Sequence, residues 1–124
     1  MKIAITAAGP SLAAAGDPRF GRCAYFMIVE TADMSAVALA NPNIERGGGA
    51  GIQSAQLMAS HGVEVVLTGN CGPNAHQALS AAGIGVVLDC SGSVAEIAQR
   101  YQTGELRSAA QPNVAEHAGR KPRR

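Results

Sequence analysis

Residues 63–88 read VEVVLTGNCGPNAHQALSAAGIGVVL, and the fold prediction begins from this stretch. Val63–Thr68 is a nearly continuous apolar run, which is typical of a central strand in a parallel sheet. Pro73 stands where the first turn of a helix tolerates proline, and Ile84–Leu88 is a second short apolar run. The helix between the two runs has a predicted buried stripe of Ala75, Ala78, Leu79 and Ala82. The pattern therefore predicts a β-α-β unit with parallel strands.

Further strands and helices are predicted on both sides of that unit. Lys2–Ala7 and Tyr25–Glu30 have strand patterns, and Ala36–Leu39 is close enough to the second of them to form a hairpin with it. A glycine run precedes one predicted helix, and Ser93-Val94-Ala95-Glu96 is a capping box that opens the last helix. The predicted order is β-β-β-α-β-α-β-α. It gives a single-domain α/β fold with a five-stranded mixed sheet and helices on its faces.

The composition describes one folded domain. The chain has 124 residues, of which 47% are hydrophobic and 15% charged, so a disordered body is excluded. No apolar run approaches the roughly 18 residues of a membrane helix, and the N-terminus lacks a signal-peptide pattern. We therefore expect a cytoplasmic protein with a folded domain over residues 1–106. Residues 107–124 are expected to form a flexible basic C-terminal tail, and the rest of the chain is mildly acidic.

The predicted topology brings four loops to one edge of the sheet. The carboxyl ends of the first strand, the third strand and the later parallel strands meet there, together with the start of the second strand. Ligands bind at this edge in open α/β sheets. The loops are Ala8–Cys23, Asn41–Gly51, Gly69–Asn74 and Asp89–Ser93. Cys23, Cys71 and Cys90 all fall on them. Because three is an odd number in a cytosol-type sequence, disulfides are not expected, and the thiols are either buried small hydrophobic groups or used for metal or redox chemistry.

The first two loops are suited to an anion. Arg19-Phe20-Gly21-Arg22-Cys23 places two guanidinium groups beside a thiol, which suits a polyanion with sulfide or oxygen atoms. Alternatively, the arginines are merely solvated. Gly47–Gly51 precedes a helix and can offer backbone N–H groups to an anion, but it fits neither G-x-G-x-x-G nor a P-loop. The alternative for this run is a flexible connection with close backbone packing.

The third loop offers soft ligands. Cys71 stands beside a helix N-terminus, which lowers a thiol pKa and favours the thiolate that binds soft metals. The alternative is a strand-to-helix turn whose Gly and Pro are purely conformational. His76, in the first turn of the helix, is either a further ligand or a surface residue. Cys90 is more typical of a structural residue. No C-x-x-C or H-E-x-x-H pattern indicates a closed zinc site, and scattered carboxylates give no support for catalysis.

Three motifs together resemble the dinitrogenase iron–molybdenum cofactor biosynthesis family, over roughly residues 1–106. They are Asp17–Cys23, Gly47–Ile52 and Leu67–Ala75. The family includes NifX, the C-terminal part of NifB and stand-alone orange-protein-like members. The resemblance implies a ribonuclease-H-like three-layer fold without nuclease activity, and non-enzymatic binding or carriage of a metal–sulfur cluster. Arg19 stands where some nitrogenase-associated members have histidine, which favours the stand-alone branch.

On this resemblance the cargo is the iron–molybdenum cofactor, a precursor, or a molybdenum–copper sulfide. Cys23, Cys71 and His76 are the candidate metal ligands. The expected cluster-binding residues are Arg19, Phe20, Gly21, Arg22, Cys23, Gly48, Gly49, Ala50, Gly51, Asn70, Cys71, Gly72 and Asn74. Expected partners are proteins that donate or accept the cluster, with no nucleic acid or membrane, and the chain is expected to be a monomer or weak homo-oligomer. The alternatives are a phosphate-ligand enzyme or sensor that uses Gly47–Gly51, and an interaction module with a basic tail.

Overall fold

A computed structural model describes residues 1–44 and 49–106. The predicted basic tail and Gly48 lie outside the described residues. Within them the elements follow the predicted order β-β-β-α-β-α-β-α. The strands are β1 (Lys2–Ala7), β2 (Tyr25–Glu30), β3 (Ser35–Ala40), β4 (Val63–Leu67) and β5 (Gly85–Val87). The helices are α1 (Ala50–Ser60), α2 (Pro73–Ala81) and α3 (Val94–Gln102).

The sheet is mixed, with the strand order β3-β2-β1-β4-β5. β2 is antiparallel to β1 and β3, whereas β4 and β5 run parallel to β1 and to each other. Ala7 pairs with Tyr25, and Tyr25 pairs with Ala40. β1 and β3 therefore end at the edge where β2 begins, which confirms the predicted meeting of the loops. The topology is compatible with the ribonuclease-H-like fold that the resemblance implies.

Helices cover both faces of the sheet, which gives three layers. Alternate residues of each strand point to opposite faces, so Ala4 packs with α1 and α2 while Ile3 and Ile5 pack with α3. The two cores are built mainly from aliphatic side chains, as expected for a chain that contains no Trp. No helix within the described ranges combines the length and the apolar composition of a membrane span.

The buried side of α2 differs from the predicted stripe. Ala75 and Leu79 are buried as expected, but Ala78 is only half-buried and Ala82 is exposed. His76 takes a buried place instead and is 6% exposed. The buried side of α2 is therefore rotated about the helix axis from the predicted one, so that the imidazole of His76 is buried more fully than Ala78 or Ala82.

Candidate functional site

Backbone hydrogen bonds join the first loop of the carboxyl edge, Ala8–Cys23, to the third loop, Gly69–Asn74. The backbone N–H of Asn70 donates to the carbonyl oxygen of Pro18 at 2.6 Å, and the N–H of Phe20 donates to that of Asn70 at 3.2 Å. The N–H of Asp89 in turn donates to the carbonyl oxygen of Gly69 at 3.0 Å. Three of the four predicted loops thus form one hydrogen-bonded rim.

Two glycines allow the three motifs to touch. Gly21 has a φ of +95°, and a Cβ there would lie 3.1 Å from the Cα of Gly51. A Cβ on Gly51 would lie 2.8 Å from the Cβ of Ala75, closer than such atoms approach in proteins. Side chains at either position would separate the first loop, α1 and α2. The close-packing interpretation of the glycine run is therefore confirmed at Gly51.

A cavity of about 310 Å³ lies where these motifs meet. It is lined by Phe20, Gly21, Arg22, Gly49, Ala50, Gly51, Ile52, Gly72, Pro73, Asn74 and Ala75. Most of the predicted binding residues within the described ranges are on this lining. Arg19, Cys23, Asn70, Cys71 and His76 are not. Ile52, Pro73 and Ala75 were not predicted, although each directly follows a predicted residue in the same helical turn.

Two helix N-termini open into this cavity without a cap from a side chain. The N-cap residues of α1 and α2 are Gly49 and Gly72, and neither helix has an acidic residue in its first turn. The first N–H groups of a helix have no partner within the helix, and the helix dipole makes this end positive. Among the lining residues Arg22 supplies the charge, and its side chain is exposed. The arrangement can hold an anion that accepts several hydrogen bonds.

The two arginines of the first loop differ in their surroundings. Arg19 donates from Nε to Asp17 Oδ1 at 3.1 Å and from Nη2 to Asp17 Oδ2 at 3.1 Å. This hydrogen bond and ion pair raise the pKa of Arg19 and offset its charge. Asp17 is 8% exposed, so the pair is anchored in the loop. Arg19 therefore stabilises the first loop, and Arg22 is the arginine at the cavity.

The thiols of Cys23 and Cys71 are buried in the core behind the cavity. Burial raises the pKa of Cys23 from 9.0 to about 12 and that of Cys71 to about 11. The prediction that the helix N-terminus lowers the pKa of Cys71 is wrong, because desolvation is the cause that acts there. Cys90 packs against the core on the other face of the sheet. The three thiols share an edge in the sequence pattern but lie in two different layers.

His76 does not reach the cavity lining. Its Nδ1 lies 3.5 Å from Ser80 Oγ, one turn further along α2. Because His76 is only 6% exposed, the surface-residue alternative is wrong. Within residues 1–44 and 49–106, no group of three or more His, Cys, Asp and Glu side chains is placed to hold a metal ion. The predicted ligands Cys23, Cys71 and His76 are thus not brought together as one such group.

Another cavity, of about 410 Å³, lies on the α3 side of the same edge. It is lined by Ala13, Ala15, Gly16, Pro18, Cys90, Ser91, Gly92 and Ser93. Here the helix end is closed, since Ser93 Oγ accepts from the N–H of Glu96 at 3.1 Å and Glu96 Oε1 accepts from the N–H of Ser93 at 2.9 Å. The capping box predicted from the sequence is confirmed. The N–H groups of Val94 and Ala95 also have acceptors, the carbonyl oxygens of Ala14 and Leu12, each at 2.9 Å. The first N–H groups of α3 are therefore already bonded and are not offered to an anion.

Sequence reasoning missed Asn41, which follows β3 directly. It is 5% exposed, and its side chain bonds the backbone of the first loop. The signal available was the Asn-Pro-Asn sequence at residues 41–43, since asparagine after a strand commonly bonds nearby backbone.

Comparison with known proteins agrees with the motifs and the fold. A family model described as dinitrogenase iron-molybdenum cofactor matches residues 1–104. The apo form of the orange protein from Desulfovibrio gigas has a TM-score of 0.88 and 46% identity, over 90% of this chain and 95% of that chain. A Thermotoga protein assigned to NifB has a TM-score of 0.75 and 31% identity, over 86% and 91%.

A further relative matches this chain by sequence. An uncharacterized protein of Methanocaldococcus jannaschii is 34% identical over 93 residues, which is 72% of this chain and 78% of that protein. The family match spans all three motifs that carry the resemblance. The chain therefore belongs to the dinitrogenase iron-molybdenum cofactor family.

Proposed function

We propose that this protein binds and carries an anionic metal–sulfur cluster, without catalysing a reaction, in the 310 Å³ cavity. One observation carries the proposal: two uncapped helix N-termini and Arg22 face a cavity built from the three family motifs. The cargo is a sulfide-rich cluster of molybdenum with iron or copper, which is the class that the family resemblance implies. The protein acts in the cytosol between proteins that donate the cluster and proteins that accept it.

The cradle holds the cargo through hydrogen bonds and charge. At α1 the N–H groups of Ala50, Gly51 and Ile52 precede the first intrahelical bond, which runs from Gln53 to Gly49 at 2.9 Å. The first turn of α2 adds the N–H groups of Asn74 and Ala75, since Pro73 has no N–H and that of His76 donates to the carbonyl oxygen of Gly72. Sulfide ligands on an anionic cluster accept such bonds, and hydrogen bonds to a charged acceptor are stronger than neutral ones.

The cysteines pack behind the cradle in this proposal. Cys23 is 0% exposed and Cys71 is 1% exposed, and neither residue lines the cavity, so we expect neither sulfur to contact the cargo. Both side chains lie in the same core as Phe20 and Ala75, which line the cavity. Their role is to fill space beneath the lining.

The test is anaerobic reconstitution with tetrathiomolybdate and copper, followed by gel filtration and visible absorption of the protein fraction. We expect the wild-type chain to retain a chromophore and the Cys23→Ala, Cys71→Ala double variant to retain it as well. The proposed function is contradicted if the wild-type protein retains no chromophore with tetrathiomolybdate and copper and none with extracted iron–molybdenum cofactor. Loss in the double variant alone, with its fold intact by circular dichroism, contradicts the packing role of the thiols.

The same cradle is chemically suited to phosphate, so a thermal-shift panel of nucleotides and sugar phosphates is the second arm. We expect no stabilisation by these compounds comparable with that by the thiomolybdate mixture. Stronger stabilisation by a phosphate ester would favour the phosphate-ligand alternative instead.

A further inference from the structure

A single buried amide holds the backbone on both sides of Arg22. The Nδ2 of Asn41 donates to the carbonyl oxygen of Gly21 at 3.1 Å and to that of Cys23 at 2.8 Å. An amide NH₂ group has two donors, so both are used on the residues that flank the arginine. The backbone N–H of Asn41 also donates to the carbonyl oxygen of Ala24 at 3.0 Å. Residues 21–24 are therefore fixed to the end of β3.

Asn41 also connects this segment to α1. Its Oδ1 accepts from the backbone N–H of Asn43 at 2.9 Å, and Asn43 Nδ2 lies 3.5 Å from Ser54 Oγ. Ser54 is part of α1, and the side chains of Asn41, Asn43 and Ser54 are all buried. The polar chain runs from the loop that carries Arg22 to the helix whose N-terminus forms another wall of the cavity.

We infer that Asn41 is a positioning residue for cargo binding, which holds Arg22 at the cavity and Gly21 against the first turn of α1. The inference rests on the proposed function. Asn41 does not line the cavity, so it acts on the cargo through the backbone that it bonds. Gly21 and Gly51 approach so closely that a small shift of the loop changes the cavity wall. Removal of the amide takes this donor from two carbonyl oxygens, and the segment on both sides of Arg22 loses its side-chain hydrogen bonds to Asn41.

The test is a double-mutant cycle on the full chain, with tetrathiomolybdate and copper as the probe. In the wild-type background we expect Arg22→Gln to weaken retention about tenfold, since a charge-assisted contact is lost. Asn41→Leu, which keeps the shape and removes the donors, should weaken retention by a similar factor. In the Asn41→Leu background, Arg22→Gln should change retention by less than about twofold, because residues in one network are not additive.

A merely structural role for Asn41 would not produce this coupling. Loss of stability alone leaves the factor for Arg22→Gln unchanged, and equal factors in both backgrounds would therefore overturn the inference. Ser93→Ala is the control, since it removes a hydrogen bond between a side chain and the backbone at the α3 end of the edge. In that control background the Arg22→Gln factor should equal the wild-type one.

The measurements are made below the unfolding transition of each variant, as recorded by circular dichroism. If Asn41→Leu does not fold, Asn41→Ser replaces it, because its short hydroxyl cannot donate to both carbonyl oxygens. Failure of the wild-type chain to retain either this probe or extracted iron–molybdenum cofactor overturns the proposed function and this inference with it. If the wild-type chain retains the probe and the effects of Arg22→Gln and Asn41→Leu on retention are additive, the inference is overturned and the proposed function stands.

Discussion

The carboxyl edge of the sheet has two halves that differ in how their helices begin. On the α1 and α2 side, glycine N-caps leave the first N–H groups open to a cavity of about 310 Å³. On the α3 side, Ser93 and Glu96 close the helix beside a cavity of about 410 Å³. The larger cavity thus lies beside a helix end whose first N–H groups are already bonded, and the smaller one has two uncapped helix ends and Arg22.

Under the proposed function, neither cavity size nor a nearby cysteine marks the anion site. Cys90 lines the larger cavity, whereas Cys23 and Cys71 are hidden behind the smaller one. Hydrogen-bond donors and charge decide which half attracts an anion. The glycine and helix-cap experiments below alter one half of the edge and use the other half as the reference.

The largest effect is expected from glycines that allow close packing. Gly51→Ala places a Cβ 2.8 Å from that of Ala75 and should abolish cargo retention by forcing α1 and α2 apart. Gly16→Ala is the matched change on the α3 side, where the new Cβ would lie 2.8 Å from Ile97 Cδ1. Overpacking of either kind costs about 1–3 kcal/mol. Urea unfolding gives the stability of each variant. If the two variants are equally stable and lose retention equally, the assignment of the cargo site to the α1 and α2 half is contradicted.

A smaller effect is expected when the open helix end is given a cap. Gly72 has an extended backbone (φ −69°, ψ 167°), and an added Cβ meets no atom within 4 Å. Gly72→Asp should stabilise α2 by about 0.3–1 kcal/mol and should weaken cargo retention about tenfold or more, because a carboxylate repels the anion.

Gly72→Asn separates the cap from the charge, since it bonds the same N–H groups and is neutral. Its loss of retention should be smaller than that of Gly72→Asp. Ser93→Ala, which uncaps α3, should lower stability by about 1 kcal/mol and leave retention unchanged. Equal retention by the Asp and Asn variants would contradict an anionic cargo.

The two arginines of the first loop should differ in their effects. Arg22→Gln should weaken retention about tenfold, whereas Arg19→Gln should weaken it by less than about threefold, because Asp17 already offsets that charge. Titration at two salt concentrations gives the measurement, since screening reduces the contribution of exposed charge. A larger effect from Arg19 would show that the ion pair with Asp17 opens when cargo binds.

The smallest effect concerns the thiols and pH. Burial raises the folded-state pKa of Cys23 to about 12 and that of Cys90 to about 11, both above the ordinary 9.0. Their stabilising contribution is thus full below pH 9 and is lost as pH rises toward the folded pKa. Unfolding free energies between pH 8 and 11 should fall less steeply for Cys23→Ala than for wild type. Parallel curves for the two proteins would contradict a buried neutral thiol.

Much of the edge followed from the sequence because strand order and loop position depend on local patterns. The hairpin and the β-α-β unit predict where the loops meet, and the Ser93 to Glu96 spacing predicts the cap of α3. Burial of Cys71 and His76 was not predictable, since it depends on how α2 is turned against distant strands. The bond of Asn41 to Gly21 joins residues far apart in sequence, so composition and spacing do not reveal it.

The most direct measurement is a ¹⁵N–¹H NMR titration of the wild-type chain with the tetrathiomolybdate and copper mixture. Backbone N–H groups that bond the cargo should shift most, and we expect these to be at Ala50–Ile52 and at Asn74 and Ala75. The N–H groups of Gly92–Ala95, at the capped end of α3, should stay in place and serve as the internal reference. Shifts centred on Cys90 and Gly92, with the α1 and α2 ends unchanged, would contradict the account.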